Sequence, residues 1–196
     1  MPLRRGEKYD AILEAALKVF AEVGFHRAQV SRIAREAGVA DGTVYLYFKN
    51  KEDILISLFS EMMGLFVSRV ERFVNEAEGF PEKLRALIAA HLRVLGQDVN
   101  RAIVTQIELR QPDASIRLGI SEPLRQYFRV IERIVMEGQK EGSVSAAIDP
   151  RVARKVIFGA IDEAVTCWVL SDRKYELESL IDPIFVILSG GLVQRK

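Results

Sequence analysis

Apolar residues recur three and four positions apart along almost the whole of this 196-residue chain, and no run alternates convincingly with period two. Ile12, Ala15, Ala16, Val19, Phe20 and Val23 form one stripe, stopped by Gly24. Val30, Ile33, Ala34 and Ala37 form a second, stopped by Gly38, and a short helix is predicted over about Asp41 to Tyr47, with Asp41 as its cap. From Lys51 the pattern holds for about seven turns, through Ile54, Leu58, Phe66, Val70 and Phe73, until Gly79-Phe80-Pro81 breaks it. Asn50 and Asp53 stand at capping-box spacing before that run. Further helices are predicted at roughly 82–96, 101–110, 113–140, 150–171 and 176–194, with a kink or a helix start at Pro123 and Pro183. The fold class is therefore all-α: a three-helix N-terminal unit over residues 1–50, continuous with a larger helical bundle over 51–196.

Charge separates those two parts. The formal net charge is only +1, which excludes a uniformly basic coat for nucleic acid. Residues 1–51 nevertheless carry nine Lys/Arg against six Asp/Glu, and the remainder nineteen against twenty-one. A basic end on a mildly acidic body directs one end to a polyanion. One cysteine (Cys167) and two histidines (His26, His91) cannot build a zinc site or an intrachain disulfide, so no metal is expected. The N-terminus is charged where a signal peptide needs an apolar run, and no segment is long and apolar enough to span a bilayer. A cytoplasmic protein without membrane contact is expected.

Residues 29–51 carry the most specific pattern. A helix-turn-helix needs an apolar first helix, a tight turn, and a short second helix whose outward side chains enter the major groove. Ile33, Ala34 and Ala37 supply the packing, Gly38 the turn, and Val39 and Val44 pin the second helix back. Thr43, Tyr45 and Tyr47 then face outward, and Gly42 lets backbone approach DNA. Lys49 and Lys51 follow as phosphate partners, Arg4 and Arg5 precede on an arm, and Gln29 and Ser31 lie at the first helix's N-terminus. A small bundle with an incidental turn glycine would explain the glycine but not two tyrosines beside a basic turn, although either ring could complete the small core.

The stretch AQVSRIAREAGVADGTVYLYFKNKEDIL resembles the DNA-binding signature of TetR-type repressors, and the match runs without a gap from Ile12 to Leu58. The resemblance implies a dimeric repressor of double-stranded operator DNA in which Thr43 and Tyr45 approach bases while Tyr47 and Lys51 hold phosphates. Ala40 and Asp41 depart from the usual pattern; Asp41 would repel phosphate but can accept from a cytosine amino group.

The larger part lacks a nucleophile–base set, so an enzyme is not expected. His91, among alanines and leucines, reads as a partly buried core residue. Segments 102–111 (AIVTQIELRQ) and 155–177 resemble the TetR-type repressors of fatty-acid degradation, which implies a long-chain acyl-CoA effector and no cofactor. An acyl chain needs apolar walls, which Phe59, Met62, Met63, Phe66, Leu92, Leu95, Leu109, Phe128, Ile131 and Trp168 can supply, although each could equally fill the core. The CoA phosphates need cations: Arg110 first, with Arg93, Arg101, Arg117 and Arg125 as helpers, and Gln106 for thioester or pantetheine amides. At ~0.8 kcal/mol per buried methylene, eight more carbons are worth ~6 kcal/mol before ordering costs, enough to separate long from short thioesters. Small residues beside large ones at 150–171 and 176–194 suit a four-helix dimer interface. The alternatives are a repressor of this type sensing a drug or pigment and, remotely, a helical acyl-thioester enzyme or accessory protein.

Overall fold

The structure is a computed structural model that describes residues 6–108, 110 and 113–192. Among them it holds nine α-helices, one short 3-10 helix and no strand. The helices are α1 (Glu7–Val23), α2 (Val30–Glu36), α3 (Asp41–Tyr47), α4 (Lys51–Asn75), α5 (Phe80–Gly96), α6 (Val99–Glu108), α7 (Ala114–Lys140), α8 (Pro150–Leu170) and α9 (Ile181–Leu192). The 3-10 helix, Leu177–Leu180, runs directly into α9. Pro123 lies within α7, which continues past it, whereas Pro183 sits in the first turn of α9, where its missing N–H costs nothing.

Packing divides the chain into two units. The first is the chain to Met62 together with Asn100–Glu122; the second is Met63–Val99 with the chain from Pro123. The sequence-based boundary after residue 50 coincides with the start of α4, but packing carries the first unit twelve residues further, because α4 is one uninterrupted helix.

In the first unit Ile12, Ala16, Val19 and Phe20 of α1 are buried, α1 packs on α2 with its buried Ile33 and Ala34, and α2 packs on α3 with its buried Val44. Gly24 (φ 77°) ends α1 and Gly38 (φ 67°) turns the chain from α2 to α3, both in the left-handed region that side-chain-bearing residues avoid. Surface ion pairs, Lys18–Glu36 at 2.5 Å and Arg32–Glu22, tie α2 to α1. α4 opens on the expected reciprocal cap: Asn50 Oδ1 accepts from the Asp53 N–H (2.8 Å), and Asp53 Oδ2 accepts from the Lys49 N–H (2.9 Å). Further along, Gly119 of α7 faces Ile56 of α4 so closely that a Cβ there would lie 2.6 Å from Ile56 Cδ1.

In the second unit α5 packs on α8, α9 and the 3-10 helix. Its core includes Leu84, Leu87, Ile88 and Leu92 of α5, Val130 and Ile134 of α7, and Ile157 and Ile161 of α8. Arg93–Glu178 (2.9 Å) and Arg85–Asp182 link α5 to the 3-10 helix and α9. Asp149 caps α8, accepting from the Arg151 N–H at 2.7 Å, with Pro150 at the first helical position.

Candidate functional site

The head presents one exposed face. α3 is only seven residues long, and Val44 anchors it while Asp41, Gly42, Tyr45 and Leu46 point to solvent. Tyr45 and Leu46 are 56% and 54% exposed, a high value for side chains this apolar. Gly42 has open space where a Cβ would be, which permits close approach of a partner. Leu46 is absent from the sequence-based site because an apolar residue in a short helix reads as core. The signal that would have found it is phase: 41, 42, 45 and 46 share one helical face opposite Val44.

The other predicted contacts divide. Gln29 and Lys49 are exposed; Ser31 and Thr43 are half-buried. Tyr47 is half-buried, with its ring 6.3 Å edge-on from Tyr9 of α1, so it is the tyrosine that completes the small core. Two expectations are corrected. Asp41 does not cap α3: Ala40 is the capping residue, and Asp41 is the first residue inside the helix and makes no capping hydrogen bond. Lys51 is not turned to solvent for a phosphate. Its ammonium donates to the carbonyls of Phe25 (2.8 Å), His26 (3.2 Å) and Ala28 (3.0 Å), and lies 4.5 Å from the centre of the Phe25 ring. Those carbonyls belong to the turn between α1 and α2, so the cation ties together three backbone acceptors of that turn, of which the Phe25 carbonyl also accepts from the Ala28 N–H at 3.3 Å. Arg4 and Arg5 lie outside the described residues.

The predicted effector residues are mostly interior. In the first unit Phe59, Met62 and Gln106 are buried, and exposed Arg110 folds back so that Nη1 donates to the Gln106 carbonyl (2.7 Å) at the end of α6. In the second unit Met63, Phe66, Leu92, Leu95 and Ile131 are buried, while Phe128 is half-buried, packed edge-on against Phe158 at 5.0 Å and covered by Arg154 at 4.5 Å. Trp168 is buried, and its Nε1–H donates to the Tyr175 carbonyl (2.9 Å), pinning the turn after α8. Leu109 lies outside the described residues. A surface hollow of about 560 Å³ beside α5 is lined by Arg85, Ala89, Arg93, Glu178 and Asp182, but its two arginines are paired there and none of the predicted apolar residues lines it.

His91 differs from its expectation. It is 3% exposed rather than partly buried, its Nδ1 lies 2.8 Å from the Tyr127 hydroxyl, and Phe66 stands edge-on to both rings at 5.1 Å. Burial pushes the imidazole down to about 3, so it is neutral at physiological pH. Burial, and then the charge of Asp162, raise the Tyr127 phenol, so it stays protonated.

A glycine-turned helix pair, a short second helix with an outward apolar and aromatic face, and a long following helix define a helix-turn-helix DNA-binding regulator. Residues 12–58 match the model of the bacterial regulatory proteins of the tetR family, and residues 59–191 that of the YsiA-like protein C-terminal region. The chain belongs to the TetR family of bacterial regulatory proteins. It is 49% identical to the fatty acid metabolism regulator protein of Bacillus subtilis over 94% of this chain and 95% of that one. The fold superposes on the fatty acid degradation regulator FadR of Bacillus halodurans with a TM-score of 0.92 (50% identity, 98% and 100% of the two chains). It superposes on Bacillus subtilis FadR in complex with stearoyl-CoA with a TM-score of 0.90 (49% identity, 94% and 99%).

Proposed function

We propose that the protein is a cytoplasmic, homodimeric repressor of fatty-acid degradation genes that leaves its palindromic operator when it binds a long-chain acyl-CoA. One observation carries this reading: near-half identity along almost the whole chain to a regulator whose structure holds stearoyl-CoA. Residues 1–50 bind DNA, and 51–196 hold the effector and the dimer contact. Thr43, Tyr45 and Leu46 read base edges, with Gly42 admitting the backbone, while Lys49, Gln29, Ser31, Arg4 and Arg5 engage phosphates. Tyr47 contributes its hydroxyl from a half-buried ring.

Self-association is supported by an exposed apolar stripe on α8 and α9: Val152, Val156 and Leu170, with Val186 and Ile187 beside Gly190 and Gly191. Two such helices from each copy make a four-helix contact, and dimerisation sets two reading helices about 34–36 Å apart. In the second unit, buried Met63, Phe66, Leu92, Leu95 and Ile131 are the residues proposed for the effector's acyl chain; in the first, exposed Arg110 is the cation proposed for its phosphates. α4 carries Phe59, Met62, Met63 and Phe66 on the same helix that opens at Lys51 of the head, so a side-chain shift along it has a direct covalent route to the DNA end.

The test is a titration of the protein bound to its own fluorescent upstream DNA. Release by micromolar stearoyl-CoA but not by acetyl-CoA or stearate is expected. DNA retained through the titration would overturn the acyl-CoA effector and keep a repressor sensing another apolar compound.

A further inference from the structure

Among the described side chains of the second unit, one ring carries an unpaired polar atom deep in apolar surroundings. His91 Nε2 is wholly buried and has no hydrogen-bond partner. The rest of the ring is fixed: Nδ1 is bonded to Tyr127, and the edge of Phe66 closes on both rings. Phe158 packs edge-on to Tyr127 at 6.1 Å and to Phe128 at 5.0 Å. Phe66 and Phe128 are two of the residues assigned to the acyl chain. A polar atom abandoned in such surroundings costs as much as its lost hydration, whereas leucine would fill the same place without penalty.

The tautomer follows from counting partners. If the Tyr127 O–H donates to Nδ1, the pair is satisfied and Nε2–H is the single orphan. If Nδ1–H donates instead, both the phenol proton and the Nε2 lone pair lack partners. The first arrangement leaves one unsatisfied group rather than two, so Nε2 bears the hydrogen. The site therefore offers one neutral, rigidly held N–H donor with no acceptor of its own.

We infer that His91 Nε2–H donates a hydrogen bond to the thioester carbonyl oxygen of the bound acyl-CoA, with Tyr127 as the positioning residue that fixes the imidazole. This rests on the acyl-CoA reading above and adds to it a reason for recognising thioesters. A neutral donor among buried aromatic rings satisfies a neutral carbonyl. An ionised carboxylate in the same place would bring a buried charge with no counter-ion, so the free acid is rejected.

The experiment compares stearoyl-CoA with S-octadecyl-CoA, in which a methylene replaces the carbonyl and everything else is kept. By calorimetry, the wild-type protein is expected to prefer the thioester about tenfold, the worth of one buried hydrogen bond. His91→Leu is expected to weaken stearoyl-CoA by that factor and to leave S-octadecyl-CoA unchanged, abolishing the preference. A preference that survives in the variant, or is missing from the wild type, overturns the inference while leaving the acyl-CoA reading intact. Failure of stearoyl-CoA to bind the wild type takes down both. Should His91→Leu not fold, ¹⁵N-histidine spectra of the wild type decide: the Nε2–H resonance is expected to move with stearoyl-CoA and not with S-octadecyl-CoA, and identical responses would overturn the assignment.

Discussion

Lys51 commits three ammonium protons to three carbonyls of one turn and lies over a phenylalanine ring. Its truncation is therefore a stability lesion before it is a DNA-binding one. Lys51→Ala is expected to destabilise the protein by about 2 kcal/mol, since hydrogen bonds to a charged group outweigh neutral ones. Thermal unfolding without DNA reads this directly, and an unchanged Tm would return Lys51 to the phosphates. Lys49, exposed two residues earlier, is the cation to which the proposed function gives that role. Lys49→Ala is expected to weaken binding to all sequences alike and to flatten the salt dependence by about one unit of slope. His91 gives the pH prediction. Its pKa falls from 6.5 to about 3 on folding, so between those values the unfolded chain takes up a proton that the native state refuses. Its contribution to stability is fully present above about pH 6.5 and declines as pH falls towards 3, by about 1.4 kcal/mol per unit. Denaturant titrations at neutral and mildly acidic pH are expected to differ less in His91→Phe than in the wild type.

At the scale of the element, the reading helix is far too short to be stable alone. α3 has seven residues and no side-chain cap, so its geometry is borrowed from Val44, from the Gly38 turn, and from the chain's immediate entry into the capped α4. The first-unit part of α4 is also gripped elsewhere. Gly119 of α7 abuts Ile56 with no room for a Cβ. Gly119→Val is expected to cost about 1–3 kcal/mol by overpacking, and a smaller side chain at 56 should recover part of it. Additive losses in Gly119→Val/Ile56→Ala, measured by denaturant titration, would show that the two positions do not touch. These elements were legible in the sequence because glycine, proline and caps punctuate strong helical periodicity: the glycine stop of α1, the Asn50–Asp53 box and the Asp149–Pro150 start all stand where their chemistry predicts. The Asp41 cap failed because capping depends on one residue of phase, and Ala40 took the non-helical position.

For the molecule as a whole, the exposed apolar residues of α8 and α9 matter most. Ile187 is 74% exposed in the single chain, which is costly unless a second copy covers it. Ile187→Asp is expected to shift the protein towards monomer in sedimentation and to abolish binding to palindromic DNA, while half-site contacts stay weak. An unchanged sedimentation coefficient would move the dimer contact elsewhere. If the protein acts as proposed, coupling between effector and operator is reciprocal: whatever factor stearoyl-CoA takes from operator affinity, operator takes from stearoyl-CoA affinity.

The sequence by itself determined the all-helical class, the order of helices, the glycine turn and the family, because periodicity, turn glycines and capping residues act within a few positions of one another. It also marked the apolar residues that are buried, since Phe59, Phe66, Leu92 and Ile131 carry that preference in their side chains. What only the tertiary structure decided is how polar groups are used. Lys51 and Phe25 are twenty-six residues apart, and His91 and Tyr127 thirty-six. No local pattern says whether a cation turns to solvent or to a backbone carbonyl, or whether an imidazole is left with one nitrogen unpaired. Those outcomes follow from which helices meet, and the burial that meeting imposes sets the charge state and the partners of every polar group caught between them.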